Sequence, residues 1–170
     1  MVNLVRSKRP SAGAVKFLDS GIEASMSSVF QGKGMLIGGI LHLSPREAYD
    51  ALKNGALLVD VREEYLRHFK SFEVPNAISV PFSTFHSSAS LLPRDKTLIF
   101  ADSMGLRSKE AVQFLRDRGY TNTANLNGGI SEWENSGLPL KQNPSAALNG
   151  ACICRLRPSP ALVSTLSRGY

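Results

Sequence analysis

Between about Ile40 and Leu140 the apolar residues fall into two alternating rhythms: short unbroken runs and stripes at helical spacing. Ser44-Pro45-Arg46-Glu47 opens the first stripe, with Ser as N-cap, Pro at the first helical position and Glu placed to close a capping box. Ala48, Ala51 and Leu52 follow at helical spacing, and Gly55 stops the helix. Ala56-Leu57-Leu58-Val59-Asp60 is then a continuous apolar run ending in a carboxylate, which suits a strand covered on both faces. The alternation repeats. Glu63 to Phe69 predicts a short helix, Ala77-Ile78-Ser79-Val80 a strand halted by Pro81, and Lys96-Thr97-Leu98-Ile99-Phe100 another strand. From Arg107 onward, Ala111, Val112, Phe114 and Leu115 line one helix face up to Gly119. Ala124-Asn125-Leu126 predicts a last strand, before Gly128-Gly129 and a helix around Ile130 and Trp133 that stops at Gly137. Strands alternating with helices at this spacing predict an α/β fold: one domain, with an open, mostly parallel sheet flanked by helices on both faces.

Composition agrees with a single core. The 170 residues are 42% hydrophobic, enough to offset the ordering entropy of one domain, so disorder throughout is excluded. The longest apolar stretch, Met35 to Leu43, is interrupted by Gly38, Gly39 and His42 and falls short of the roughly 20 residues of a membrane span. The two cysteines, Cys152 and Cys154, are too few and too close together for a disulfide scaffold.

Charge divides the chain. Arg6, Lys8, Arg9 and Lys16 stand at one end with no acid among residues 1–18, and Lys141, Arg155, Arg157 and Arg168 at the other with none among residues 141–170. Of the 20 basic residues 12 therefore remain in between, against all 14 acidic ones. The net +6 belongs to the ends. A polyanion groove needs cations clustered on the folded body, so no nucleic-acid partner is expected. The expected organisation is a basic, flexible extension over 1–37, a domain over 38–140, and a basic, flexible tail over 141–170 carrying Cys-x-Cys. The first extension is rich in Ser and cations but has no apolar run behind them, so it is not a secretory signal. A cytoplasmic location is expected, with organelle import through this extension as the alternative.

In open α/β sheets ligands bind beyond the carboxyl ends of the strands. The candidate loop runs Phe100-Ala101-Asp102-Ser103-Met104-Gly105-Leu106 into Arg107-Ser108, between a strand and a helix. Ser103 to Ser108 can form an anion-binding loop there: successive N–H groups point into one cup at the helix N-terminus, and Arg107 can complete it. The other reading of the same residues is a plain strand-to-helix turn in which Ser108 or Asp102 caps the helix.

From about Leu43 to Leu140 the chain resembles the rhodanese domain of the sulfurtransferase family. Five pieces carry the resemblance, in the family's order: Leu58-Val59-Asp60-Val61-Arg62-Glu63; Val74-Pro75-Asn76-Ala77-Ile78-Ser79-Val80-Pro81; the loop ending Arg107-Ser108; Gly119-Tyr120-Thr121-Asn122; and Leu126-Asn127-Gly128-Gly129-Ile130-Ser131-Glu132-Trp133. In that family a six-residue loop begins with a cysteine, which carries sulfane sulfur as a persulfide, and ends with an arginine. By that count Asp102 and Arg107 take the two catalytic positions. A carboxylate cannot carry a persulfide, and it puts negative charge where a thiosulfate anion should dock. Ser103 is no substitute. The family's Gly-His before the strand entry is also missing, with Phe72-Glu73 in its place.

The resemblance therefore implies a sulfurtransferase fold whose chemistry is silent, serving as a binding or regulatory module for a protein partner or a small anion. The expected role of Asp102 is to accept hydrogen bonds from the loop's own amides and fill its own cup. An aspartyl-phosphate nucleophile, or the related phosphatase design, is a further alternative, but no metal and no second acidic cluster is apparent. The other enzymatic alternative is an active sulfurtransferase or sulfur relay using Cys152 and Cys154 or a partner's thiol. No cofactor and no metal are expected: His42, His68 and His86 are widely spaced, and two cysteines make an incomplete zinc site. Asp60 and Arg62 are expected to form a structural ion pair, and Trp133 to anchor the last helix.

Overall fold

The capping box at Ser44 forms as its spelling predicts. Ser44 Oγ accepts from the Glu47 N–H at 3.4 Å, and Glu47 Oε2 accepts from the Ser44 N–H at 2.9 Å, starting helix α1 (Pro45–Lys53). The structure, a computed structural model, describes residues 28–144. Around α1 the strands are β1 (Met35–Ile37), β2 (Ile40–Leu43), β3 (Leu57–Asp60), β4 (Lys70–Phe72), β5 (Ala77–Ser79), β6 (Leu98–Ala101), β7 (Thr123–Leu126) and β8 (Leu140–Gln142). The remaining helices are α2 (Glu64–Phe69), α3 (Phe82–Ser88), α4 (Leu106–Arg116) and α5 (Gly129–Asn135).

Six strands form one sheet in the order β1-β2-β7-β6-β3-β5, and every pair in it is parallel except β1 with β2. The chain belongs to the α/β class with a mostly parallel sheet, as the pattern predicts. Both faces are covered because successive side chains of each strand point to opposite sides. On one face Ile99 and Ala101 of β6 and Leu58 of β3 pack against Ala48, Ala51 and Leu52 of α1 and Ile130 and Trp133 of α5. On the other, Leu98, Phe100 and Val59 meet Phe85 of α3 and Ala111, Val112 and Leu115 of α4.

Regular structure is also present ahead of Ile40. A single 3₁₀ turn at Ser28–Phe30 puts the Phe30 side chain into the core, and β1 folds back on β2 about Gly38-Gly39, with Met35 opposite His42. Strand β1, exposed at Met35 and Ile37, leaves little apolar periodicity to read. At the other end β8 pairs antiparallel with β4, Phe72 opposite Leu140 and Lys70 opposite Gln142, so regular structure continues past Leu140. This two-stranded sheet joins segments far apart in sequence and has no local signature. Helix α3 has no clear sequence signature either: Ser and Thr are modest helix formers, and burial of Phe85 holds the segment in place.

Candidate functional site

Strand β6 delivers the chain to the carboxyl edge of the sheet at Ala101, and α4 begins after four intervening residues. Asp102 is buried between them, with 5% of its surface exposed. Its Oδ1 accepts hydrogen bonds from the Met104 N–H at 3.1 Å, from the Gly105 N–H, and from the Ser108 hydroxyl at 3.2 Å. Its Oδ2 accepts from the Arg107 N–H at 2.9 Å. The first N–H groups of a helix lack partners within the helix, and here a side chain of the same loop supplies them. The carboxylate thus sits inside the ring of donors, and its charge is met by the amides and by the helix N-terminus.

Neighbouring elements hold the loop by its carbonyls. Asp102 O accepts from the Ile130 N–H at 2.9 Å, and Ser103 O accepts from both the N–H and the hydroxyl of Ser131, at 3.3 and 3.1 Å. Gly105 O accepts from the Asn125 amide at 3.3 Å. Gly129 permits the close approach of α5: a Cβ there would stand 2.4 Å from Asp102 O and 2.6 Å from the Ser103 carbonyl carbon. Gly105 takes a left-handed φ of +92° at the turn into α4. Asn125, Gly129 and Ser131 thus position the loop, a part that the sequence does not disclose because the contacts span 20 or more residues. The Asn125 amide also lies 3.1 Å from His42 Nδ1. Burial lowers the His42 pKa below its ordinary value, and the charge of Lys109 adds to the effect.

A cavity of about 290 Å³ opens beside the loop, bounded by Arg62, Tyr65, Leu66, Asp102, Ser103, Met104, Leu106 and Arg107. The two arginines differ in kind. Arg62 is buried and clamps Asp60 with Nε at 2.9 Å and Nη2 at 2.6 Å, so its charge is already paired. Arg107 is exposed and makes no ion pair among the described residues; its guanidinium stands 5.8 Å from the Phe82 ring.

Of the predicted loop residues, Ser103, Met104, Leu106 and Arg107 line the cavity together with Asp102, while Gly105 and Ser108 are buried behind it. Tyr65 and Leu66 of α2 complete the wall, unannounced by any motif. Cys152 and Cys154 lie outside the described residues. Among the described residues no group of three or more His, Cys, Asp or Glu side chains could hold a metal ion. No described helix is long and apolar enough to cross a membrane.

Residues 44–136 match the rhodanese-like domain family. A sulfurtransferase of Allochromatium vinosum is 32% identical over 84 residues, covering 49% of this chain and 77% of that protein. A mitochondrial thiosulfate sulfurtransferase of Saccharomyces cerevisiae is 36% identical over 90 residues, covering 45% of this chain and 59% of that protein. The crystal structure of a rhodanese-related protein from Thermoplasma volcanium is similar at a TM-score of 0.55 and 30% identity, covering 60% of this chain and 98% of that one.

Proposed function

The chain belongs to the rhodanese-like domain family, and from that membership we propose that it is a binding or regulatory member without sulfurtransferase chemistry of its own. The observation that carries this reading is the Asp102 carboxylate held by three backbone N–H groups and one hydroxyl. By the six-residue count back from Arg107, Asp102 takes the position of the family's persulfide cysteine. Sulfur transfer from thiosulfate needs a thiolate that attacks the sulfane sulfur and expels sulfite. A carboxylate has no stable counterpart of the persulfide. It also uses the donors that would otherwise bind a thiosulfate anion and stabilise its transition state.

What remains is a recognition surface. The loop is rigidly mounted, its cavity is open, and Arg107 and the apolar side chains of Met104 and Leu106 face outward from it. A protein partner suits such a rim better than a small anion, whose cup is already filled. On this reading the protein works in the cytoplasm. The relative described as mitochondrial supports the alternative of organelle import.

The test is thiocyanate formation from thiosulfate and cyanide by the purified full chain. The expected rate equals that of buffer alone. Turnover above that background overturns the reading, and its loss on replacing Cys152 and Cys154 by Ser would assign the chemistry to those thiols.

A further inference from the structure

Asn125 is buried, with 1% of its surface exposed, and its amide nitrogen meets two acceptors. One is Gly105 O of the loop, at 3.3 Å, and the other is His42 Nδ1 of β2, at 3.1 Å. A carbonyl oxygen only accepts, so the amide atom facing Gly105 is the nitrogen and not the oxygen. Both hydrogens of that nitrogen are then committed. The ring atom opposite must offer a lone pair, which fixes His42 as the neutral imidazole with its proton on Nε2. We propose that His42 is a proton-sensitive positioning residue for the candidate site: the Asn125 bond that holds the loop at Gly105 persists only while the imidazole is neutral. The consequence for recognition at the rim rests on the binding function proposed above; the coupling of His42 to the loop does not.

The chemistry of the imidazolium carries the argument. Both of its ring nitrogens donate, so Nδ1–H would point at the Asn125 amide hydrogens, donor against donor. Turning the amide over brings Oδ1 to Nδ1–H, but the same oxygen then faces Gly105 O, and the carbonyl loses its donor. The turn also sends the nitrogen to the place of Oδ1, a buried atom with no hydrogen-bond partner among the described residues. His42 and Asn125 are partners in the parallel pair of β2 and β7, so their side chains stand next to each other on one face of the sheet.

The surroundings favour the neutral ring. His42 is half-buried, and its Nε2 is buried with no hydrogen-bond partner among the described residues. Strand β1 sets Met35 opposite it and β7 sets Asn125, neither of them ionisable. Helix α4 brings the like charge of Lys109, with Arg116 further along beside Gly39. No ion pair to His42 forms among the described residues. Burial first and Lys109 second hold its pKa below the ordinary value of about 6.5. Gly105 is where the loop registers the change: its N–H donates to Asp102, and its left-handed φ makes the turn into α4. Its neighbours Met104, Leu106 and Arg107 line the cavity, so release of its carbonyl frees the rim on both sides.

NMR titration of the full chain between about pH 8 and pH 5 tests the coupling. The His42 ring signals should share one midpoint, below about 6.5, with the Asn125 side-chain amide and with the Leu106 amide, which belongs to the same peptide group as Gly105 O. In Lys109→Ala, a change at an exposed position, loss of the like charge should raise all these midpoints together. In His42→Gln, whose side-chain oxygen can accept from Asn125 at every pH, the Leu106 signal should keep its high-pH position throughout. His68→Gln, on the helix that supplies Tyr65 and Leu66 to the cavity, should leave the transition in place. A Leu106 midpoint that differs from that of His42, or that stays fixed when the His42 midpoint moves in Lys109→Ala, overturns the proposal. So does loss of the transition in His68→Gln. Thiocyanate formation would sink the functional reading while leaving this coupling intact, and unlinked midpoints would do the reverse.

Discussion

Asp102 is one side chain asked to satisfy four donors, and removing it exposes what each of them is worth. Asp102→Ala takes the partner from the buried Gly105 N–H and Ser108 hydroxyl and from the half-buried Arg107 N–H. A stability loss of about 1–3 kcal/mol is expected, the typical penalty for stranding buried polar groups. Urea unfolding of the two proteins measures it. Emptying the cup should also create an anion site: millimolar thiosulfate or sulfate should raise the melting temperature of Asp102→Ala and leave that of the wild type unmoved. Equal responses would show that the carboxylate is not what fills the cup. Asp102 itself was legible in the sequence, because a loop between a strand and a helix restricts where a donor cup can form. Asn125, Gly129 and Ser131 were not: each reaches the loop across a tertiary contact, and an isolated Asn or Ser carries no signal of its target.

At the scale of elements, Glu47 shows how a capping motif extends into a tertiary link. Its carboxylate accepts from the Gly34 N–H at 2.9 Å as well as from Ser44, and these bonds, that from Gly34 foremost, hold its pKa below the usual carboxylate range. A depressed folded-state pKa means stability that is fully present above the ordinary Glu range and is lost as pH falls through the lower folded value. Glu47→Gln should therefore cost about 0.5–1 kcal/mol near pH 7, a typical capping contribution. The gap from wild type should close as acid protonates Glu47. Urea midpoints at pH 7 and at about pH 3 check this, and a gap that persists in acid would contradict it. Elements with local punctuation, such as α1 with its Ser-Pro-x-Glu start, could be read before folding. Strands β4 and β8 could not, since Lys70-Ser71-Phe72 becomes a strand only when Leu140–Gln142 pairs with it.

The described residues set a six-stranded sheet between two apolar layers, and Trp133 is buried in one of them. Its ring meets Tyr49 and Phe72 edge-on at centroid distances of 5.7 and 5.2 Å, and its Nε1 donates to Pro139 O at 3.0 Å. It therefore ties α1, β4 and α5 together and fixes where the chain turns toward β8. Trp133→Ala should cost about 3–5 kcal/mol, a large share of the roughly 5–15 kcal/mol that holds a domain folded. Circular dichroism during urea unfolding would register it, and a loss under about 1 kcal/mol would remove Trp133 from this role. The division of charge also operates at this scale. The cations in excess lie in residues 1–18 and 141–170, and the residues between them hold 12 basic against 14 acidic side chains.

On the proposed function the loop is a sulfurtransferase cup silenced by the residue at 102. Thiocyanate production from thiosulfate and cyanide, measured side by side for the wild type and Asp102→Cys, tests it most directly. A wild type at background and a variant with measurable turnover are expected, since the freed amides of Gly105 and Arg107 would then face a thiolate. Turnover by the wild type, or silence from an Asp102→Cys variant that folds as stably as the wild type, would contradict it.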